Sequence, residues 1–131
     1  MNIHRQGTTI ILEQRDYLRT VLERFGMHNA KNAPTPLPMG YNPIPNSQPV
    51  DEQLRTRYQQ VIGSLLYLML GTRPDITFAV TKMSQFAANP SKEHYDKALY
   101  ICRYLVGTAD YSLVYGKKNE GLIAYANADW G

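Results

Sequence analysis

Residues 58–70 read YQQVIGSLLYLML and decide the fold, because they place two different faces on one predicted helix. Gln59, Gly63 and Tyr67 line up on one face. A glycine inside a helix costs about 1 kcal/mol relative to alanine, so Gly63 indicates that something comes close to the backbone there. The other face carries apolar side chains at helical spacing, as in a helix packed on a core: Tyr58, Val61, Ile62, Leu65, Leu66 and Met69.

Three further helices are predicted around this one. Apolar residues recur at helical spacing over residues 17–25, where Gly26 ends the pattern. Thr72-Arg73-Pro74-Asp75 predicts an N-terminal cap for a helix that runs to Phe86. The fourth helix begins after a cap at Ser91 and ends at Gly107.

Both ends of the chain carry strand patterns. Residues 2–5 and 9–12 form one predicted hairpin, and residues 111–115 and 122–126 form another. The predicted fold is therefore α+β, with an N-terminal β-hairpin, four helices and a C-terminal β-hairpin. An isolated two-stranded ribbon is marginal, so we expect both ends to fray.

Six of the eight prolines crowd into residues 33–50. Prolines remove backbone donors and hold the chain extended, which predicts a stiff linker. Pro43-Ile44-Pro45 also leaves open a role as a ligand for proline-recognising domains.

Composition excludes several classes of protein. The net charge of +3 suits a polyanionic partner but is common among unrelated proteins. The single cysteine, Cys102, cannot form an internal disulfide and is predicted to be a buried thiol in a reducing compartment. No stretch is long and apolar enough for a membrane span or a signal peptide. We expect a soluble intracellular protein, cytoplasmic or nuclear, with no membrane partner.

The helix at residues 58–68, followed by Thr72-Arg73-Pro74-Asp75-Ile76, resembles the reverse transcriptase of copia-type long-terminal-repeat retrotransposons. The family's Pol polyprotein carries a similar succession of motifs in the same order. The resemblance extends upstream over residues 10–36 and downstream through three blocks at residues 89–94, 103–108 and 128–130.

The resemblance implies a division of the chain. Residues 1–32 would be the end of the palm hairpin and the first thumb helix, and residues 33–50 the proline-rich linker. Residues 51–108 would be thumb and connection helices, and residues 109–131 the incomplete start of a ribonuclease H-like domain.

No catalytic residue is predicted. Nucleotidyl transfer needs neighbouring carboxylates that hold two divalent ions, and the family's Tyr-x-Asp-Asp element is absent from this sequence. The only adjacent acids, Asp51-Glu52, are expected to cap a helix or face solvent. The family's ribonuclease H strand ends in Asp-x-Asp-Trp, but the position of its metal-ligating aspartate holds Asn127, and Asp129 matches the non-ligand aspartate.

The three histidines, His4, His28 and His94, lack metal-ligand spacing and are predicted to lie on the surface. We expect no metal and no cofactor in this segment, although the resemblance implies Mg²⁺ for the intact family enzyme.

Contact with a template–primer duplex remains as a candidate activity. The resemblance implies that Gly63 lets the sugar-phosphate backbone approach and that Tyr67 offers an aromatic surface to the minor groove. Arg55, Arg57 and Lys82 could meet phosphates. The alternative is that Gly63 permits close helix packing and that Tyr67 is partly buried core.

The resemblance thus implies a fragment of a copia-type reverse transcriptase that at most binds an RNA–DNA or DNA duplex passively. Two alternatives stay open. The chain could be a domesticated interaction module that associates with full-length retrotransposon Pol, or a relic without function.

Overall fold

The computed structural model describes residues 1–116 and 123–127, the latter as backbone only. The described residues form four α-helices and four β-strands, which confirms the predicted α+β class with a hairpin at each end. In chain order these are β1 Asn2–Gln6, β2 Thr9–Glu13, α1 Arg15–Arg24, α2 Glu52–Gly71, α3 Thr77–Ser84, α4 Lys92–Gly107, β3 Tyr111–Gly116 and β4 Ile123–Asn127.

The two hairpins form one antiparallel sheet in the order β1-β2-β3-β4. Strands β2 and β3 pair directly, with Ile11 opposite Val114 and Leu12 opposite Leu113. The expectation of two separate, marginal ribbons is therefore wrong. Each hairpin supplies the strands that the other lacks, and Ile11 and Leu113 are buried where the two meet.

Helix α2 lies at the centre of the helical unit and packs against α3 and α4. Most of its predicted core face is confirmed, although Leu66 and Met69 are half-buried and Leu68 is fully buried instead. The hydroxyl of Tyr58 donates a hydrogen bond to the Met83 carbonyl of α3, and burial raises the pKa of that hydroxyl. The hydrophobic core between these helices includes the fully buried residues Tyr58, Val61, Leu65, Leu68, Ile76, Val80, Met83, Ile101 and Leu105.

The capping predictions have mixed outcomes. The carboxylate of Asp51 accepts hydrogen bonds from the amides of Gln53 and Leu54, so its predicted capping role on α2 is confirmed. Ser91 caps α4, also as predicted. The cap predicted at Thr72 is wrong: this residue ends α2, and its hydroxyl donates to Gln14 Oε1 at 2.7 Å. A 3₁₀ turn over Pro74–Ile76 then leads into α3.

Among the residues whose side chains are described, Arg73 is the largest that is fully buried, with 2% of its surface exposed. Its Nε and Nη2 donate to the two carboxylate oxygens of Asp75 at 3.0 and 2.8 Å. Its Nη1 donates to the Thr108 carbonyl at 2.9 Å, and its guanidinium lies 5.3 Å from the ring centroid of Tyr111. Tyr104 donates its hydroxyl to Asp75 at 2.7 Å. This Arg73–Asp75 cluster joins the start of α3, the end of α4 and the start of β3.

The proline-rich segment, residues 33–50, is not a free connector but a strap fastened to the helices. Side chains of α3 and α4 and of the turn between them hold its backbone carbonyls. Lys82 Nζ donates to the Tyr41 carbonyl at 3.1 Å, and Asn89 Nδ2 donates to the Gln48 carbonyl at 2.9 Å. His94 binds Ile44 and is 1% exposed, so the prediction that it lies on the surface is wrong.

We expect the Arg73→Met variant to lower the free energy of unfolding by about 3–5 kcal/mol, because it leaves the Asp75 carboxylate without its buried partner. Urea denaturation followed by circular dichroism measures the change. Arg57→Met is the matched control, because Arg57 is exposed. A loss for Arg73→Met no larger than for this control would contradict the importance of the cluster.

Asp75 should also link stability to acid. Burial by itself would raise the pKa of Asp75, but hydrogen bonds and the charge of Arg73, with the Tyr104 hydroxyl, hold the pKa below its ordinary value. The native state then binds fewer protons than the unfolded state, so stability falls as the pH drops below about 4 and through the native pKa. Unfolding free energies measured from pH 6 to pH 3 should decline more steeply in the wild type than in Asp75→Asn. Equal slopes would refute the linkage.

Candidate nucleic-acid interface

Four residues of α2 form a ridge on the side away from the core. Arg55, Gln59, Gly63 and Tyr67 follow one another at intervals of four residues, which places them in a single row along a helix. Tyr67 is 53% exposed, and Gln59 and Gly63 are exposed as well. Three of the five predicted contact residues therefore share one row, which we call the α2 ridge.

Gly63 lies in the middle of the ridge. A Cβ atom added to Gly63 would meet no atom within 4 Å. The interpretation that Gly63 permits close packing of helices is thus wrong for the described residues, since no neighbouring element occupies the space beside it. The helix keeps a residue of low helix propensity that its own contacts do not require.

Tyr67 lies outside the buried core, but one side of its ring packs against α1. Its ring centroid is 4.7 Å from that of Tyr17 on α1, with 53° between the ring planes. Contact between two aromatic rings limits the positions that the Tyr67 side chain can take. The structure therefore gives the ridge an exposed aromatic surface whose orientation is supported by α1.

The three basic residues predicted to contact phosphates lie at different places on the helices. Arg55 is on the ridge and forms an ion pair with Glu52, in which 38% of the arginine side chain and 70% of the glutamate side chain are exposed. Arg57 is exposed but lies two residues further on, which turns it about 200° around the helix from Arg55. Lys82 is on α3, where it binds the strap and lies 4.9 Å from the Phe78 ring centroid.

Sequence reasoning missed one exposed apolar residue near the ridge. Leu70 is 79% exposed and follows Gly63 by seven residues, which returns it to the same side of α2. Its signal in the sequence was an apolar side chain outside the predicted core stripe. Gln59 was recognised on this face, but its hydrogen bond to the Ala87 carbonyl, 2.9 Å long, depends on the tertiary fold.

The described residues contain no cluster of three His, Cys, Asp or Glu side chains that could hold a metal ion. The Cys102 thiol is buried as predicted, and burial raises its pKa to about 12, so it stays protonated. The backbone of Asn127 pairs with Tyr111 at the end of β4. Asp129 and Trp130, on which the ribonuclease H comparison depends, lie outside the described residues. In the part of the chain that is described, no helix has the length and hydrophobicity needed to cross a membrane.

Comparison with known proteins gives similarity along nearly the whole chain. The retrovirus-related Pol polyprotein from transposon TNT 1-94 of Nicotiana tabacum is 40% identical, with 98% of this chain and 10% of the relative covered. Those from transposons RE1 and RE2 of Arabidopsis thaliana are 37% and 36% identical, with 96% and 91% of this chain and 8% of each relative covered.

This chain thus spans a tenth or less of the length of these relatives. No protein-family model and no solved structure matches it. The predicted resemblance to retrotransposon Pol polyproteins is confirmed.

Gly63→Ala should raise the free energy of unfolding by about 0.5–1 kcal/mol, because the new methyl group enters open space and alanine favours the helix. Gly71→Ala is the matched control on the same helix. A Cβ at Gly71 would clash with the side-chain amide of Gln14, a buried group that binds Thr72, so this variant should be destabilised. Thermal unfolding of both variants measures the two effects. Destabilisation by Gly63→Ala would show that the space beside Gly63 is filled.

Proposed function

This chain is a homologue of a segment of retrotransposon Pol polyproteins, and from this premise we propose that it is the duplex-holding part of a copia-type reverse transcriptase. In this proposal, residues 51–108 act as thumb and connection helices. Residues 1–32 and 109–131 come from the neighbouring palm and ribonuclease H-like parts. The segment binds a template–primer duplex, and other parts of the polyprotein carry out catalysis.

Gly63 is the observation that carries the proposal. It is exposed at the centre of a 20-residue helix, and no atom of the described residues lies within 4 Å of where its Cβ would be. Absence of a side chain lets a sugar-phosphate backbone come within van der Waals distance of the helix backbone. Tyr67 lies one turn later on the same ridge, so a duplex that contacts Gly63 would also meet the aromatic ring.

The charges on the ridge suit a contact that does not read sequence. Arg55 shares an exposed ion pair with Glu52, and pairs of this kind contribute little stability. Its guanidinium can therefore turn to a phosphate at small cost. Phosphate contacts position a duplex without distinguishing bases, and they weaken as salt rises. The net charge of +3 has the sign that such binding needs.

We assign no catalytic residue to this segment. The six aspartates are scattered along the sequence without an Asp-Asp pair. Asp75, the most buried of those with a described environment, is neutralised by Arg73. The two-metal chemistry of polymerases needs several free carboxylates around the ions, so Mg²⁺ would be held by residues elsewhere in the intact polymerase.

The test is fluorescence anisotropy with a labelled RNA–DNA hybrid at salt concentrations from about 20 to 200 mM. We expect binding that weakens steeply with salt. Gly63→Leu should raise Kd at least about tenfold, because the added side chain blocks backbone approach while leucine retains the helix. Gln53→Leu adds the same side chain ten residues earlier on α2, about 15 Å away, and should bind as the wild type does.

Tyr67→Ala should raise Kd by roughly fivefold or more, the usual scale for an aromatic contact to nucleic acid. Phe78→Ala removes a similarly exposed aromatic ring from α3, outside the ridge, and serves as its control. Equal effects of the ridge and control variants, or no salt-dependent binding, would refute the proposal. Incorporation of nucleotides by the purified chain would refute its passive role.

A further inference from the structure

His94 connects two parts of the structure that are distant in sequence. Its ring is 1% exposed and stacks on Phe86 with 4.1 Å between ring centroids. Ring atom Nδ1 is 3.0 Å from the amide nitrogen of Ser91, the N-cap residue of α4. Ring atom Nε2 is 2.8 Å from the carbonyl oxygen of Ile44 in the strap. We call these two bonds the His94 latch.

The partners determine the protonation of the ring. A backbone amide can only donate, so Nδ1 must be the acceptor and carries no proton. A backbone carbonyl can only accept, so Nε2 must carry the proton. The neutral imidazole with its proton on Nε2 satisfies both bonds at once.

A second proton would break this arrangement. Protonated Nδ1 would place an N–H group against the Ser91 N–H, and a ring that is only 1% exposed cannot present the new donor to solvent. The new positive charge would also lie in the first turn of α4, where the helix dipole is unfavourable to cations.

Other ionisable groups do not supply a counter-charge through direct contact. On the strap, the ionisable group is Tyr41. Its carbonyl binds Lys82 of α3, and its ring lies 5.3 Å from Lys97 Nζ of α4. On helix α2, the Tyr58 hydroxyl donates its hydrogen bond to the Met83 carbonyl. Glu93 of α4 is exposed, and among the described residues no carboxylate forms a hydrogen bond or ion pair with the His94 ring.

We propose that the His94 latch is a pH-sensitive switch that holds the proline-rich strap against α4 when the ring is neutral and releases it when the ring is protonated. The strap has further bonds, from Asn89 to Gln48, from Lys82 to Tyr41 and from Asn46 to Asn89 and Pro90, so release stays local to Ile44 and the start of α4. Neither latch bond involves a residue of α2, so the core of α2 should stay folded.

Hydrogen exchange of the wild-type chain, measured by NMR at pH 7.5 and pH 5.5 and corrected for intrinsic rates, tests the switch. The Ser91 amide donates directly to the latch, and the Gln48 amide reports on the strap through its bond to Asn46. Protonation of the ring would break the bond to Ser91 and leave a buried donor unsatisfied, so we expect these two amides to exchange about tenfold faster at pH 5.5 than at pH 7.5. The Leu65 amide in α2 should keep its protection.

His94→Gln supplies a matched variant, because glutamine completes a Ser-x-x-Gln capping box but does not titrate. We expect this variant to lose the tenfold pH effect on the Ser91 and Gln48 amides. His28→Gln replaces an exposed histidine and should retain the effect. Wild-type protection that is equal at both pH values, or that falls equally at Leu65, would overturn the proposal. If His94→Gln does not fold, the wild-type exchange alone decides the question.

Discussion

The burial of one arginine constrains the rest of the structure. A guanidinium cannot leave water without partners, and Arg73 finds them on three elements. Asp75 binds it from the turn before α3, and Thr108 offers a carbonyl at the end of α4, where a helix favours positive charge. Tyr111 begins β3 beside it. Because these groups must converge on one charge, the end of α4 and the start of the sheet take fixed positions next to α2.

This convergence explains why the terminal hairpins meet. The Tyr111 amide donates to the Thr108 carbonyl that Arg73 also binds, so β3 leaves α4 in a defined direction and pairs with β2. On the other side, Gln14 follows β2 and binds Thr72 at the end of α2. The sheet is thus tied to the helical unit at both of its central strands. With its core face occupied in this way, α2 presents the opposite face, with Gly63 and Tyr67, to solvent.

The strap follows a related rule. Prolines cannot donate backbone hydrogen bonds, so a segment rich in them has few amides to offer and relies largely on its carbonyls. Lysine, asparagine and histidine side chains provide the donors in this chain. Only the histidine can change its number of donors near neutral pH, which distinguishes its bond from the others.

The sequence by itself determined the local elements, because spacing and capping chemistry act over a few residues. It predicted the four helices, the two hairpins, the Asp51 and Ser91 caps and most of the core face of α2. It also drew attention to Gly63 and Tyr67 as candidate contact residues, since a glycine amid good helix formers is visible without a structure. Only the tertiary structure decided which residues distant in sequence contact one another. The pairing of β2 with β3, the bond from Thr72 to Gln14 and the burial of His94 each join residues far apart in sequence. The emptiness beside Gly63 was likewise undetermined, because it depends on where every other element packs.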